Sequence, residues 1–134
     1  MSELEFKEIT EKVIGASMKV HAALGNGFQE IIYQRAVGIE LQESGLKFSR
    51  ELNIPVYYKG RCVGEEELIF VEKKIMVELK AIIKLENVHL AQAKNYLEAY
   101  NLEVGLLINF GAVSLEFKRL ENKKYKPFTF PVNP

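Results

Sequence analysis

Two short apolar runs with a helical stretch between them constrain this chain more than any other feature. Ile75-Met76-Val77-Glu78-Leu79-Lys80-Ala81 and Val104-Gly105-Leu106-Leu107-Ile108-Asn109-Phe110 are too short for buried helices and read as buried strands, the second bounded by Gly111. From Asn87 to Tyr100 the spacing is helical, through Val88, Ala91, Asn95 and Leu97. Strand, helix, strand in that order calls for a crossover, and a crossover allows the two strands to be parallel. The chain must therefore build a sheet with at least one helix packed on it.

The remaining segments add to that sheet. Phe6, Ile9, Val13, Ala16, Val20 and Leu24 form one apolar stripe of a first helix, stopped by Gly25-Asn26-Gly27. A second helix is expected from about Phe28 to Ser44, with Phe28, Ile32, Ala36 and Ile39 on its inner face and Gly45 just past its end. After Gly45 the period becomes two. Leu46, Phe48, Ile54, Val56 and Tyr58 alternate with polar residues, Lys59-Gly60-Arg61 is a turn, and Cys62 to Val71 is a second strand. Glu72-Lys73-Lys74 then turns into the first apolar run, and Leu115 to Leu120 alternates as an edge strand. The order is α-α-β-β-β-α-β-(β), an α/β (α+β) fold with a mixed sheet flanked by helices. One domain spans 1–134, and the proline-containing tail from about residue 121 reads as irregular.

Composition narrows the function classes. Of 134 residues, 48% are apolar and 27% charged, the profile of a globular domain. No apolar run approaches the roughly 20 residues of a membrane span, so no membrane partner is expected. Eighteen basic and eighteen acidic residues cancel, so any surface for nucleic acid must be local. Lys118, Arg119, Lys123, Lys124 and Lys126 form such a local cluster, which an ordinary solvated surface also explains. Cys62 is alone, which excludes an intrachain disulfide and a cysteine zinc site. With no basic and apolar leader at Met1-Ser2-Glu3, the expected location is cytoplasmic.

Three places could carry chemistry. Glu78 and Lys80 project from one face of a strand, about 7 Å apart along it. They must be solvated, paired or functional, because burying either charge alone is expensive. His89, Gln92 and Tyr96 share a face of the following helix. Glu30 lies in the first turn of the second helix, where exposed backbone N–H groups favour a carboxylate, so a structural role alone accounts for it.

Taken together, these segments resemble the bacterial GxxExxY family. The resemblance rests on Ile14-Gly15-Ala16, Val20-His21, Leu24-Gly25-Asn26-Gly27, Glu30 and Tyr33. It continues through Ile54-Pro55-Val56-Tyr57-Tyr58-Lys59-Gly60, Val77-Glu78-Leu79-Lys80-Ala81, Val88-His89, Gln92, Asn95-Tyr96-Leu97 and Gly105-Leu106-Leu107-Ile108-Asn109-Phe110-Gly111. Family members are similar to small PD-(D/E)XK nucleases with a restriction-endonuclease-like core. The resemblance implies a Mg²⁺ or Mn²⁺ site with Glu78 as the carboxylate ligand and the Leu79 carbonyl beside it. It implies that Lys80 activates water, that Glu30 is an accessory acid, and that His89 and Gln92 face the site from the helix.

One position departs from the family pattern. An Asp is expected ten residues before the Glu, and Leu68 stands there. Glu67 should point to the opposite face, and Glu66 lies about 7 Å further along the strand. Only a bulge would bring one of them back. Two functions stay open: a nuclease-like fold with weak metal binding and little or no catalysis that holds nucleic acid or protein, and an active Mg²⁺-dependent nuclease that uses Glu66 or Glu67. A homodimer through a sheet edge or the helical hairpin is open as well.

Overall fold

The computed structural model describes residues 3–127, apart from the side chains of 51–54 and 65–67. In chain order the elements are α1 (Glu3–Leu24), α2 (Glu30–Glu43), β1 (Phe48–Tyr58), β2 (Arg61–Val71), β3 (Ile75–Lys80), α3 (Asn87–Ala99), β4 (Val104–Asn109) and β5 (Glu116–Glu121). The α/β (α+β) order is the one expected, and the final strand forms at a sheet edge. No helix among the described residues is long and apolar enough to cross a membrane.

The five strands lie in the order β1-β2-β3-β4-β5. β3 and β4 are parallel, as a strand–helix–strand crossover allows, and the other neighbours are antiparallel. Period-two alternation sends the two strands' side chains into two cores. Val77, Leu79, Leu106 and Ile108 meet Val13, Tyr33, Val37 and Leu41 of α1 and α2. Met76 and Leu107 meet Ala93 and Leu97 of α3, together with Leu68 and Leu120. Helices therefore cover both faces of the centre, and β3 and β4 are buried almost throughout.

Two helix faces differ from the sequence expectation. α2 starts at Glu30 rather than Phe28; its buried residues are Tyr33, Gln34, Val37, Gly38 and Leu41, while Ile32, Ile39 and the preceding Phe28 are exposed. The expected stripe is displaced because Tyr33 can bury its ring: its hydroxyl donates to the Gly25 carbonyl at 2.6 Å and accepts from the Phe28 N–H at 3.1 Å. With that hydroxyl satisfied, the ring stacks on Phe110 at 4.6 Å between centroids. In α3, Ala93 and Leu97 are buried while Val88, Ala91 and Asn95 face solvent.

The β1–β2 hairpin extends past the sheet. Its turn is Lys59-Gly60, both at positive φ, the two-residue geometry that matches strand twist. β2 pairs with β3 only through Ile69, Phe70 and Val71, so the rest of the hairpin is a two-stranded ribbon. The Tyr100 hydroxyl, just past α3, donates to the Pro55 carbonyl at 2.9 Å and ties the ribbon to the helix.

A buried amide fixes the carboxyl ends of β3 and β4. Asn109 Oδ1 accepts from the backbone N–H groups of Ile82 (2.9 Å) and Gly111 (3.0 Å). Its Nδ2 donates to the Ile82 carbonyl and to Glu116 Oε1, both at 2.9 Å. Glu116 Oε1 also accepts from the Leu85 N–H at 2.9 Å, and the Phe110 N–H donates to the Lys80 carbonyl at 2.8 Å. Gly111 must be glycine, since a Cβ there would lie 2.6 Å from the Ala81 carbonyl carbon and overlap the Ile82 backbone.

Two outcomes follow from this brace. Asn109→Ala leaves several buried backbone groups without partners, and we expect a loss of about 3 kcal/mol or more in denaturant unfolding. The Asn109 hydrogen bond, helped by the Leu85 N–H, holds the Glu116 carboxyl below its ordinary value of 4.5. A carboxylate so depressed stabilises the fold above its unfolded pKa, and that stabilisation drains away as pH falls through the folded one. The melting-temperature gap between wild type and Glu116→Gln should be full at neutral pH and close below about pH 4.5.

Candidate active site at the end of β3

Alternation in β3 puts Met76, Glu78 and Lys80 on the α3 face, and Val77 and Leu79 on the other. Glu78 is the penultimate residue of the most buried part of the sheet, and only 3% of its side chain is exposed. A carboxylate in such a place needs a counter-charge, because desolvating it alone costs several kcal/mol. Lys80, two residues on and 20% exposed, supplies it: Nζ stands 3.3 Å from Glu78 Oε2. The register continues across the sheet from Glu78 to Leu107 to Lys118, so a second, exposed cation sits on this face two strands away.

On the other side of Glu78 the sheet opens. The last β2–β3 pair is Ile69 with Val77, and one step further the register would set Leu68 across from Glu78. The two residues thus flank the point where β2 and β3 part. Leu68 is 1% exposed and packs in the apolar cluster with Met76, Leu97 and Leu107. The position where the family resemblance calls for a carboxylate is filled with hydrocarbon.

The other expected site residues come from α2 and α3. Glu30 opens α2, the helix on the face opposite the Glu78 carboxylate. There its Oε1 accepts from Gln34 Nε2 at 3.3 Å, and Gln34 Oε1 accepts from the Arg50 guanidinium at 3.1 Å. His89 is the third residue of α3, and its Nδ1 accepts the Glu86 N–H at 2.9 Å within a capping box. Gln92 is exposed, one turn before Tyr96, while the buried stripe of the helix is Ala93 and Leu97. The Leu79 side chain lies in the α1–α2 core, leaving only its carbonyl for a ligand role. The side chains of Glu66 and Glu67 lie outside the described residues. Structure therefore joins Glu78 to Lys80, with Leu68 beside them, and gives Glu30 and His89 local hydrogen-bonding partners of their own.

Among the described side chains at this point of the sheet, Glu78 is the carboxylate that a hard cation would use. Mg²⁺ and Mn²⁺ take oxygen ligands, commonly one or two carboxylates plus substrate phosphates and water. Here one carboxylate is already engaged by an ammonium, and its neighbour across the opening is leucine. Among the described residues no group of three His, Cys, Asp or Glu side chains is arranged to hold a metal.

Several residues that shape the site were not singled out by sequence reasoning. Asn109 and Glu116 brace the two loops beyond β3 and β4, and the polar end of an otherwise apolar run was the available signal. Gln34 was hidden by the misplaced α2 stripe. The basic residues of the C-terminal segment have different neighbours. Lys124 pairs with Glu98 at 3.6 Å, whereas Arg119 and Lys123 line an open hollow of about 600 Å³ with Lys94 and Glu121.

Comparison with known proteins adds one finding. No curated protein and no solved structure matches the chain. The sequence profile of the PD-(D/E)XK nuclease superfamily matches residues 7–120, which takes in every element from the first helix to β5. The chain belongs to the PD-(D/E)XK nuclease superfamily.

Proposed function

We propose that this is a nuclease-fold protein with a degenerate cation site, which holds nucleic acid and cuts it weakly or not at all. The observation that carries the reading is Leu68, buried in an apolar cluster where a second carboxylate would be needed, beside a Glu78 paired with Lys80. A cation entering there would have to displace Lys80 and rely on one carboxylate, so Mg²⁺ and Mn²⁺ should bind weakly. The holding surface is local, as a neutral chain requires. Lys94, Arg119 and Lys123 around the hollow between α3 and β5 offer cations for phosphate contacts.

The reading is tested by supplying the missing ligand. Leu68→Asp should lower stability by about 2 kcal/mol or more, since it removes a buried leucine and puts a carboxylate next to Glu78. Millimolar Mn²⁺ should raise the melting temperature of Leu68→Asp and leave wild type nearly unchanged, because a ligand that binds only the folded state stabilises it. Calorimetry should find at least tenfold tighter Mn²⁺ binding in the variant. Equal metal responses would remove Leu68 from the site. Efficient Mn²⁺-dependent cleavage by wild type, abolished by Lys80→Ala, would overturn the degenerate reading in favour of an active nuclease.

A further inference from the structure

Two asparagines lead the chain past the end of α3 after it leaves β5. The Asn122 N–H donates to the Glu103 carbonyl at 2.9 Å, and its Nδ2 donates to the Leu97 carbonyl in the last turn of the helix at 3.1 Å. Asn101 follows the helix at a φ of 49°, a left-handed conformation that asparagine tolerates better than most residues. Its side chain makes a reciprocal pair with the backbone of Lys126. Nδ2 donates to the Lys126 carbonyl at 2.7 Å, and Oδ1 accepts from the Lys126 N–H at 3.0 Å. The chain thus reaches Pro127 beside Asn101, the residue that follows Tyr100.

Tyr100 belongs to a groove of about 430 Å³ between α3 and the β1–β2 ribbon, and its hydroxyl ties the two together at the Pro55 carbonyl. Pro55 and Tyr57 line the ribbon side, Tyr96 and Tyr100 the helix side, and every lining residue is uncharged. Tyr57 is 64% exposed, so its ring has room for a partner. Charges on the ribbon outside the groove are mixed: Lys59 and Arg61 stand against Glu65, Glu66 and Glu67, and Glu65 pairs with Pro55 in the ladder. Such a surround attracts neither an anionic nor a cationic chain, whereas an uncharged apolar one fits the lining. Pro127-Phe128-Thr129-Phe130-Pro131-Val132-Asn133-Pro134 has that character, with no charged side chain, two phenyl rings and three prolines. Proline fixes φ, so a segment rich in it loses little freedom on docking, and aromatic-lined grooves are the usual partners of such segments. The reach is adequate. The four steps from Lys126 to Phe130 extend to about 14 Å, and the groove begins at the residue next to the Lys126 clamp.

We propose that residues 128–134, which lie outside the described residues, occupy this groove of their own chain. Phe128 and Phe130 pack on Tyr57 and Tyr100, and the segment straps the ribbon to α3. This contact is independent of the function proposed above.

The chain has no tryptophan, so Phe130→Trp in the full-length protein introduces a single indole reporter, placed well past the Lys126 clamp. A docked indole should emit to the blue of the same protein unfolded in urea, and acrylamide should quench it about threefold less efficiently, because a packed ring is shielded from the quencher. Adding Tyr57→Ala, which removes one wall, or Ala99→Glu, which puts a charge into the groove, should return quenching most of the way to the unfolded value. Both positions are exposed, so circular dichroism should report the same fold in every variant. In hydrogen exchange, the ribbon amides at 56–58 should open about fivefold faster once Phe128→Ser and Phe130→Ser remove the strap. An indole as open to acrylamide in the folded protein as in urea overturns the proposal. So does a protected indole that neither groove substitution exposes, and so does unchanged exchange in the ribbon. Protection that is lost on dilution would assign the groove to the tail of a second copy and overturn the intramolecular strap.

Discussion

Asn109 closes the parallel pair on which the rest of this structure is arranged. Parallel strands cannot be joined by a tight turn, so β3 and β4 end side by side with two separate loops leaving the same edge of the sheet. Their last backbone groups have no ladder partners left, and burial would make them costly. One amide meets the need from both sides, accepting from Ile82 and Gly111 and donating to the Ile82 carbonyl and Glu116. Glu116 passes the constraint on to Leu85, just before α3 begins. The register of β3, the start of α3 and the path of the β4–β5 loop are thereby set by a few polar atoms.

Electrostatics at the end of β3 follow from that rigidity. The strand is buried, so a carboxylate on it must have a counter-charge close by, and period two allows Lys80 to reach it from the same strand. In a site with a second carboxylate the cation would share that burden. With Leu68 across the opening, the Glu78–Lys80 ion pair lies against a hydrocarbon wall formed with Met76, Leu97 and Leu107. Low polarity strengthens the pair and makes its exchange for a hydrated cation less favourable.

Much of the fold could be read from the sequence because its strands are short and its periods clean. The Ile75 and Val104 runs are buried on both faces, and their length alone separated them from helices. The α2 face was not legible. Its burial depends on Tyr33, whose hydroxyl is satisfied by Gly25 and Phe28 in the preceding turn, a tertiary fact that hydrophobicity does not encode. Nor could alternation reveal that most of the β1–β2 hairpin stands beyond the sheet, since a two-stranded ribbon and a sheet strand share period two. At the site, Glu78 and Lys80 were legible for the same reason as the strand that carries them. The capping role of His89 was not, because it arises from Glu86 at the helix entrance and not from any partner on the helical face.

The placement of α3 leaves it with two open flanks. One flank of this helix faces the ribbon with Tyr96 and Tyr100, and the other faces β5 with Lys94 beside Arg119 and Lys123. Neither surface uses Glu78, Lys80 or Leu68. Leu68 packs in the same apolar cluster as Tyr96 of the first surface and Leu90 and Leu120 of the second, so both surfaces rest on the core that Leu68 helps to fill.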